Sequence, residues 1–115
     1  MGQLAVGDID RAISATAGTF TGTGVGAAVQ IQGRFNASLL SGTSTGTGAW
    51  TGNVQIERSF DARLTWTPIS ADSYGTVASF QWPTSLILTE EEAGVWYRWH
   101  CTVFGNGIIP WRLSQ

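Results

Sequence analysis

Three glutamates stand in a row at Glu90, Glu91 and Glu92, and His100 is followed directly by Cys101. Paired carboxylates held at a set distance hydrolyse glycosides, and a thiolate beside an imidazole is a nucleophile. Neither set is arranged for its chemistry. Consecutive glutamates in a turn point apart, and bunched like charges seek water, so the triplet is expected to be a solvated turn. Neighbours on a regular strand face opposite ways, which keeps His100 from Cys101 and leaves the cysteine as a small core residue. One His and one Cys, with no carboxylates at ligand spacing, do not make a zinc site. The glycine-rich run from Ser41 to Gly48 has no Gly-Lys-Ser/Thr to cradle a phosphate, and the chain has no lysine at all. No catalytic, cofactor-binding or metal-ligating residue is expected.

Composition narrows the classes further. The chain has 115 residues, enough for one domain with a single modest core. It carries 15 glycines and 6 tryptophans but only 12% charged residues, a mix that favours short strands and turns. All six basic residues are arginines and the net charge is -2, so the basic footprint that holds nucleic acid is missing. The lone Cys101 allows no intrachain disulfide. The start, Met-Gly-Gln-Leu-Ala-Val, has neither a basic nor a long apolar stretch, and no apolar run reaches membrane-spanning length. A soluble protein made in a cytosol is expected, with no nucleic-acid or membrane partner.

The elements follow from period-two alternation. From Val29 to Leu39 the residues Val29, Ile31, Gly33, Phe35, Ala37 and Leu39 share one face of a strand. Val54 and Ile56 alternate with Gln55 and Glu57, Ser-Phe-Asp-Ala makes a turn near Asp61, and Leu64 and Trp66 open a second run: a hairpin from Asn53 to Trp66. Thr76 to Trp82 reads as a strand stopped by Pro83, and Ser85 to Leu88 as a short apolar one. In the strongest strand, Val95, Tyr97, Trp99, Cys101 and Val103 alternate with Trp96, Arg98, His100, Thr102 and Phe104. Ile109, Trp111 and Leu113 form the last, after the turn signal Gly105-Asn106-Gly107. About seven short strands and no helix predict an all-β antiparallel β-sandwich over residues 29–115, jelly-roll or Ig-like.

Residues 1–28 are expected to be an N-terminal arm. The segment from Ser14 to Ala28 is almost wholly Ala, Thr, Gly and Ser, too little apolar surface to fold alone. It is either a mobile tail or an arm ordered by a neighbouring subunit. Core packing accounts for Trp66, Trp99 and Trp111, whereas a sugar-stacking platform is the functional alternative for exposed tryptophans. Trp96 and Phe104 make the second face of their strand apolar as well, implying another buried surface, within the domain or with a partner chain. Phe20, Val25, Trp50, Trp96 and Phe104 are therefore the expected interface residues.

Two resemblances bear on function. Ser59, Asp61, Thr65 and Trp66 resemble the Asp-box hairpin of sialidase propellers, Ser-x-Asp-x-Gly-x-Thr-Trp, with Arg63 where that family has glycine. The motif implies a turn-stabilising role for Ser59, Asp61 and Trp66 and no catalysis, since a propeller needs several blades. More widely, the chain resembles small proteins encoded among bacteriophage structural genes. The matching motifs are Phe-Asn-x-Ser-Leu at Phe35 to Leu39, Gly-x-Val-Gln-Ile-Glu-Arg-Ser-Phe-Asp at Gly52 to Asp61, Glu-x-Gly-Val-x-Tyr-Arg with Cys-Thr at Glu92 to Thr102, and Arg-Leu-Ser-Gln at Arg112 to Gln115. The resemblance implies a virion protein, most specifically a capsid decoration (cement) or head-vertex protein. It would bind the major capsid protein or other virion proteins as a homo-oligomer such as a trimer. A tail or fibre module that binds host carbohydrate is the alternative, and a small enzyme comes last for want of a convergent polar cluster.

Overall fold

A computed structural model describes residues 15–41, 50–70 and 78–115. Ten antiparallel strands and no helix occur among them: β1 Ala15–Phe20, β2 Gly24–Val25, β3 Val29–Gln30, β4 Gly33–Leu39, β5 Thr51–Ser59, β6 Thr67–Pro68, β7 Ser79–Phe80, β8 Thr84–Glu90, β9 Trp96–Asn106 and β10 Ile109–Ser114. They form two sheets. The first runs β1-β10-β4-β8; in the second, β9 and β5 pair centrally, with β2 and β3 on the outer edge of β9 and β6 and β7 on that of β5. Counting β2 with β3 and β6 with β7 leaves eight strands in the orders 1-8-3-6 and 2-7-4-5. That is the jelly-roll order, two four-stranded sheets wound as Greek keys. The sandwich expected from alternation is therefore present, and the pairing order selects between its two topologies.

The core lies between the sheets and is built from the alternating faces already named. Phe35, Ala37 and Leu39 on β4, Val54 and Ile56 on β5, Tyr97, Trp99 and Cys101 on β9, and Ile109, Trp111 and Leu113 on β10 are all buried. Phe35 and Tyr97 meet across the layer with ring centroids 4.6 Å apart.

Four expectations need correction. The first is the domain boundary at residue 29. Residues 15–28 belong to the sandwich: β1 pairs with β10 over six residues, and β2 pairs with β9 at Cys101 and His100. The reason is Trp111. A Cβ on Gly18 would come 2.8 Å from its ring, and so would one on Gly26, so the indole lies flat against backbone that only glycine leaves bare. The segment supplies little apolar surface because it contributes a backbone platform to a tryptophan held elsewhere. Gly18→Ala should accordingly lower stability by about 1–3 kcal/mol through overpacking against the indole. Thermal unfolding measures this, and an unchanged midpoint would mean that β1 is not seated on Trp111. Residues 1–14 lie outside the described part.

The second correction concerns the strand from Val29 to Leu39, which is two. β3 pairs with β9 in the second sheet, whereas β4 pairs with β10 and β8 in the first. The chain changes sheet through residues 31–32 and Gly33, whose φ of 95° is open to glycine without strain. Ile31 stays buried through the crossing, its N–H bonded to the Val95 carbonyl at 3.0 Å.

The third is the phase of β9. Asn53 pairs with Val103 but Val54 pairs with Cys101, so Thr102 is an extra residue, a β-bulge. Side-chain parity flips there: Val103 is exposed, and Phe104 turns inward to pack against the core. Phe104 therefore does not share the outer face with Trp96.

The fourth is the stretch from Thr76 to Trp82. Only Ser79–Phe80 is a strand in its described part; Trp82 follows it in a bend, and residues 76–77 lie outside the described part.

Candidate functional site

The polar face of β9 meets the polar face of β5 on the outside of the second sheet. Register places Glu57 opposite Arg98, Gln55 opposite His100 and Ser59 opposite Trp96. Glu57 is only 4% exposed, although it lies on the outward side of the strand. Its Oε1 accepts from Arg98 Nε at 2.8 Å, and its Oε2 accepts from His100 Nδ1 and from Gln55 Nε2, each at 2.7 Å. Trp66 covers the group, its ring 4.1 Å from the Arg98 guanidinium carbon, and Arg63 lies over Trp96 at 4.3 Å. Burial alone would raise the Glu57 carboxyl, but the hydrogen bonds from His100, Arg98 and Gln55 outweigh it and hold it below the usual range.

A Glu–His pair at this distance can orient an imidazole for proton transfer. Here both carboxylate oxygens are already taken, and Cys101, the adjacent thiol, is buried on the opposite face with its Sγ directed to the Val103 carbonyl. Burial pushes that thiol up, away from the thiolate. Among the described residues no three metal-ligating side chains converge. The cluster fastens the outer face; it does not present an unfilled site.

The acidic triplet behaves differently from expectation. Glu91 and Glu92 are exposed, but Glu90 is buried. It accepts from Tyr97 Oη at 2.6 Å, from Arg58 at 3.3 Å and from the Glu92 N–H at 3.1 Å. It ends β8 with its side chain turned into the sandwich, so the solvated turn begins one residue later. Burial tends to raise the Glu90 carboxyl, and these bonds bring it below its ordinary value. The same burial and bond push Tyr97 up to about 12.

Side-chain hydrogen bonds of Ser59 and Asp61 hold the hairpin turn, and Trp66 lies away from it against Arg98. Ser59 Oγ donates to Asp61 Oδ1 at 2.8 Å and accepts the Arg63 N–H at 2.9 Å, while Asp61 accepts the Thr65 N–H at 2.9 Å and its hydroxyl as well. The hydroxyl and N–H of Thr65, with Ser59, pull the Asp61 carboxyl down to about 2. Ala62 and Arg63 take left-handed φ values of 59° and 73° without glycine, a strain of about 1–2 kcal/mol per residue. Trp66 is half-buried on the outer face, not in the core, because the two-residue β6 begins only after it; Leu64 stands exposed in the loop.

These shifts set the pH response. Glu57, Glu90 and Asp61 all have depressed folded values, so their stabilisation is complete above the ordinary carboxylate range near about 4.3 and is lost as pH falls through the folded values. Tyr97 is raised to about 12 and the buried Cys101 thiol is raised as well, so their contributions are complete below the ordinary thiol value of about 8.5 and are lost as pH climbs above it. Unfolding temperature against pH should show a plateau between these limits and fall at both ends. A decline beginning near neutral pH would contradict the assignment.

The expected interface residues are scattered. Phe20 is 5% exposed and pairs with Ile109 beside Trp111, so it belongs to the core. Trp50 is buried too, donating from Nε1 to the Leu40 carbonyl at 2.9 Å. Phe104 packs inward past the bulge. Only Val25, exposed beside His100, and half-buried Trp96 lie on the outer face of the second sheet.

The exposed tryptophan is Trp82, at 65%. It lines an open groove of about 410 Å³ with Thr51, Gly52, Asn53, Gln81, Val103 and Gly105. Among the described residues no ionisable group lines this groove, which offers one indole, one aliphatic side chain, two amides and a hydroxyl. Nothing in the sequence separates Trp82 from the other tryptophans, because the bulge that shapes the groove depends on pairing between distant strands. Glu57 was missed for a similar reason; the alternation of Gln55 and Glu57 opposite Arg98 and His100 is visible, but not their register. Comparison with protein-family models, with curated proteins and with solved structures gives no match.

Proposed function

We propose that this chain is a structural component of a bacteriophage virion, a capsid decoration (cement) protein that binds and stabilises the head shell as an oligomer. The observation that carries this reading is the use of the ionisable groups. Glu57, Glu90 and Cys101 are buried and engaged inside the fold, and Asp61 is committed to its own turn, whereas large apolar side chains such as Val25, Phe60, Ile87 and Val103 stand exposed. Exposed apolar side chains beside committed ionisable groups support a surface built for contact with another protein. The jelly roll recurs in viral capsid domains, which adds support by analogy of fold alone. The test is co-sedimentation of the full chain with expanded, otherwise undecorated heads of the phage that encodes it. Saturable binding that raises the temperature of head disruption is expected; failure to bind heads overturns the reading.

The Trp82 groove favours a second reading, a tail or fibre module that binds carbohydrate. An exposed indole flanked by the Asn53 and Gln81 amides, with no charged residue in the described lining, suits a neutral sugar. Glycan-array binding, with tryptophan quenching that Trp82→Ala abolishes, would support it. An array without signal disposes of it.

A further inference from the structure

We propose that two copies of this chain pair through β8, antiparallel about a two-fold axis at Ile87, so that the first sheet continues from one copy into the next. The inference names a surface for self-association but rests on β8 alone. A dimer that fails to bind heads would leave it standing while overturning the virion reading.

β8 closes the first sheet. Its seven residues pair with β4 in unbroken register, and its far edge has no strand partner among the described residues. Exposed edges template further pairing unless they are short, bulged, charged or interrupted by proline. Of the other edges, β2, β3, β6 and β7 are two residues each and β6 contains Pro68, while β1, six uncharged residues at the opposite edge of the first sheet, lacks the two-fold sequence symmetry of β8. β8 has none of these protections: Thr-Ser-Leu-Ile-Leu-Thr carries no charge and no proline. Glu90, the charge that ends it, is turned inward onto Tyr97 and Arg58.

The sequence of β8 is also its own complement. Read outward from Ile87 in either direction, it gives leucine, a hydroxyl residue and then a polar end: Leu86 and Leu88, Ser85 and Thr89, Thr84 and Glu90. A two-fold contact requires that if residue i meets j, then j meets i. Antiparallel pairing about Ile87 meets that condition: Leu86 faces Leu88 of the second copy, Ser85 faces its Thr89, and Ile87 faces Ile87. The faces agree too. Ser85, Ile87 and Thr89 are exposed on the outer side, Ile87 at 59%, while Leu86 and Leu88 are half-buried against the core. Pairing would complete the burial of both leucines and set the two isoleucines side by side. Glu90 would meet Thr84 of the other copy and no like charge.

Cysteine placement reads the register. Residues directly opposite on paired strands have Cβ atoms about 4.5–5.5 Å apart, so Ile87→Cys should form a disulfide with its own copy about tenfold faster than Ser85→Cys does. Ser85→Cys mixed with Thr89→Cys should cross-link across chains. Cys101 is buried and stays silent. Light scattering on the unmodified full chain should give twice the 12.3 kDa chain mass, and Ile87→Lys, an exposed substitution, should halve it with an unchanged circular dichroism spectrum. A monomeric wild type, an oligomer unmoved by Ile87→Lys, or equal cross-linking at positions 85 and 87 would each overturn the proposal.

Discussion

The Trp99→Ala variant is expected to lose about 3–5 kcal/mol of folding stability, the range for deleting a fully buried aromatic side chain. Trp99 is the largest side chain with no exposure at all, at the centre of β9. Its ring meets Phe80 edge-on at 6.1 Å, and its Nε1–H donates to the Arg112 carbonyl at 3.3 Å, tying the second sheet to the first. Removing it leaves a cavity between the layers and takes away the indole donor that reaches the Arg112 carbonyl. Against a typical total of roughly 5–15 kcal/mol, the variant should be near the limit of folding at ambient temperature. Urea denaturation followed by circular dichroism measures the loss. Trp99→Phe keeps most of the volume and should retain most of the stability. A loss of less than about 1 kcal/mol for the alanine variant would place the residue outside the core.

Glu57→Ala is expected to cost about 2–3 kcal/mol, below the range for breaking a fully buried ion pair because Arg98 and His100 remain partly exposed. Without the carboxylate, Arg98 and His100 face each other with no anion between them, and Trp66 loses the fixed guanidinium on which it lies. Trp66 emission should shift as the ring gains freedom. The effect carries its own pH signature. The depressed Glu57 value means that wild type holds this stabilisation above about 4.3 and loses it as pH falls. The difference between wild type and variant should therefore be greatest at neutral pH and shrink toward pH values near the folded one. Glu57→Gln, which keeps the shape and one acceptor, should fall between them. A difference that stays constant from neutral to acid pH would mean that the charge of Glu57 does not matter.

Both variants test residues of different legibility. Trp99 lies on the alternating face of β9, so its burial follows from parity, a property carried by each strand on its own. The same holds for Phe35, Ala37 and Leu39, for Val54 and Ile56, and for Ile109, Trp111 and Leu113. The Ser59–Asp61–Thr65 turn was legible because its bonds span at most four residues. Glu57 is a case of the opposite kind. Its burial depends on Arg98 and His100, more than forty residues away, arriving in one register and not the next.

Alternation, turn residues and composition thus determined by themselves an all-β chain, the inward and outward faces of its strands, and a stapled hairpin near Asp61. Tertiary structure alone decided the rest. It drew residues 15–28 into the sandwich because Trp111 needs glycine backbone beneath it, and it set the jelly-roll order. It flipped Phe104 inward at the Thr102 bulge, buried Glu90 and Glu57, and left Trp82 and Ile87 as the exposed groups that the functional readings use. The physical reason is one of range. Strand parity and turn bonds act over a few residues, whereas register, bulges and the choice of edge strand are set by pairing energies between segments distant in the chain.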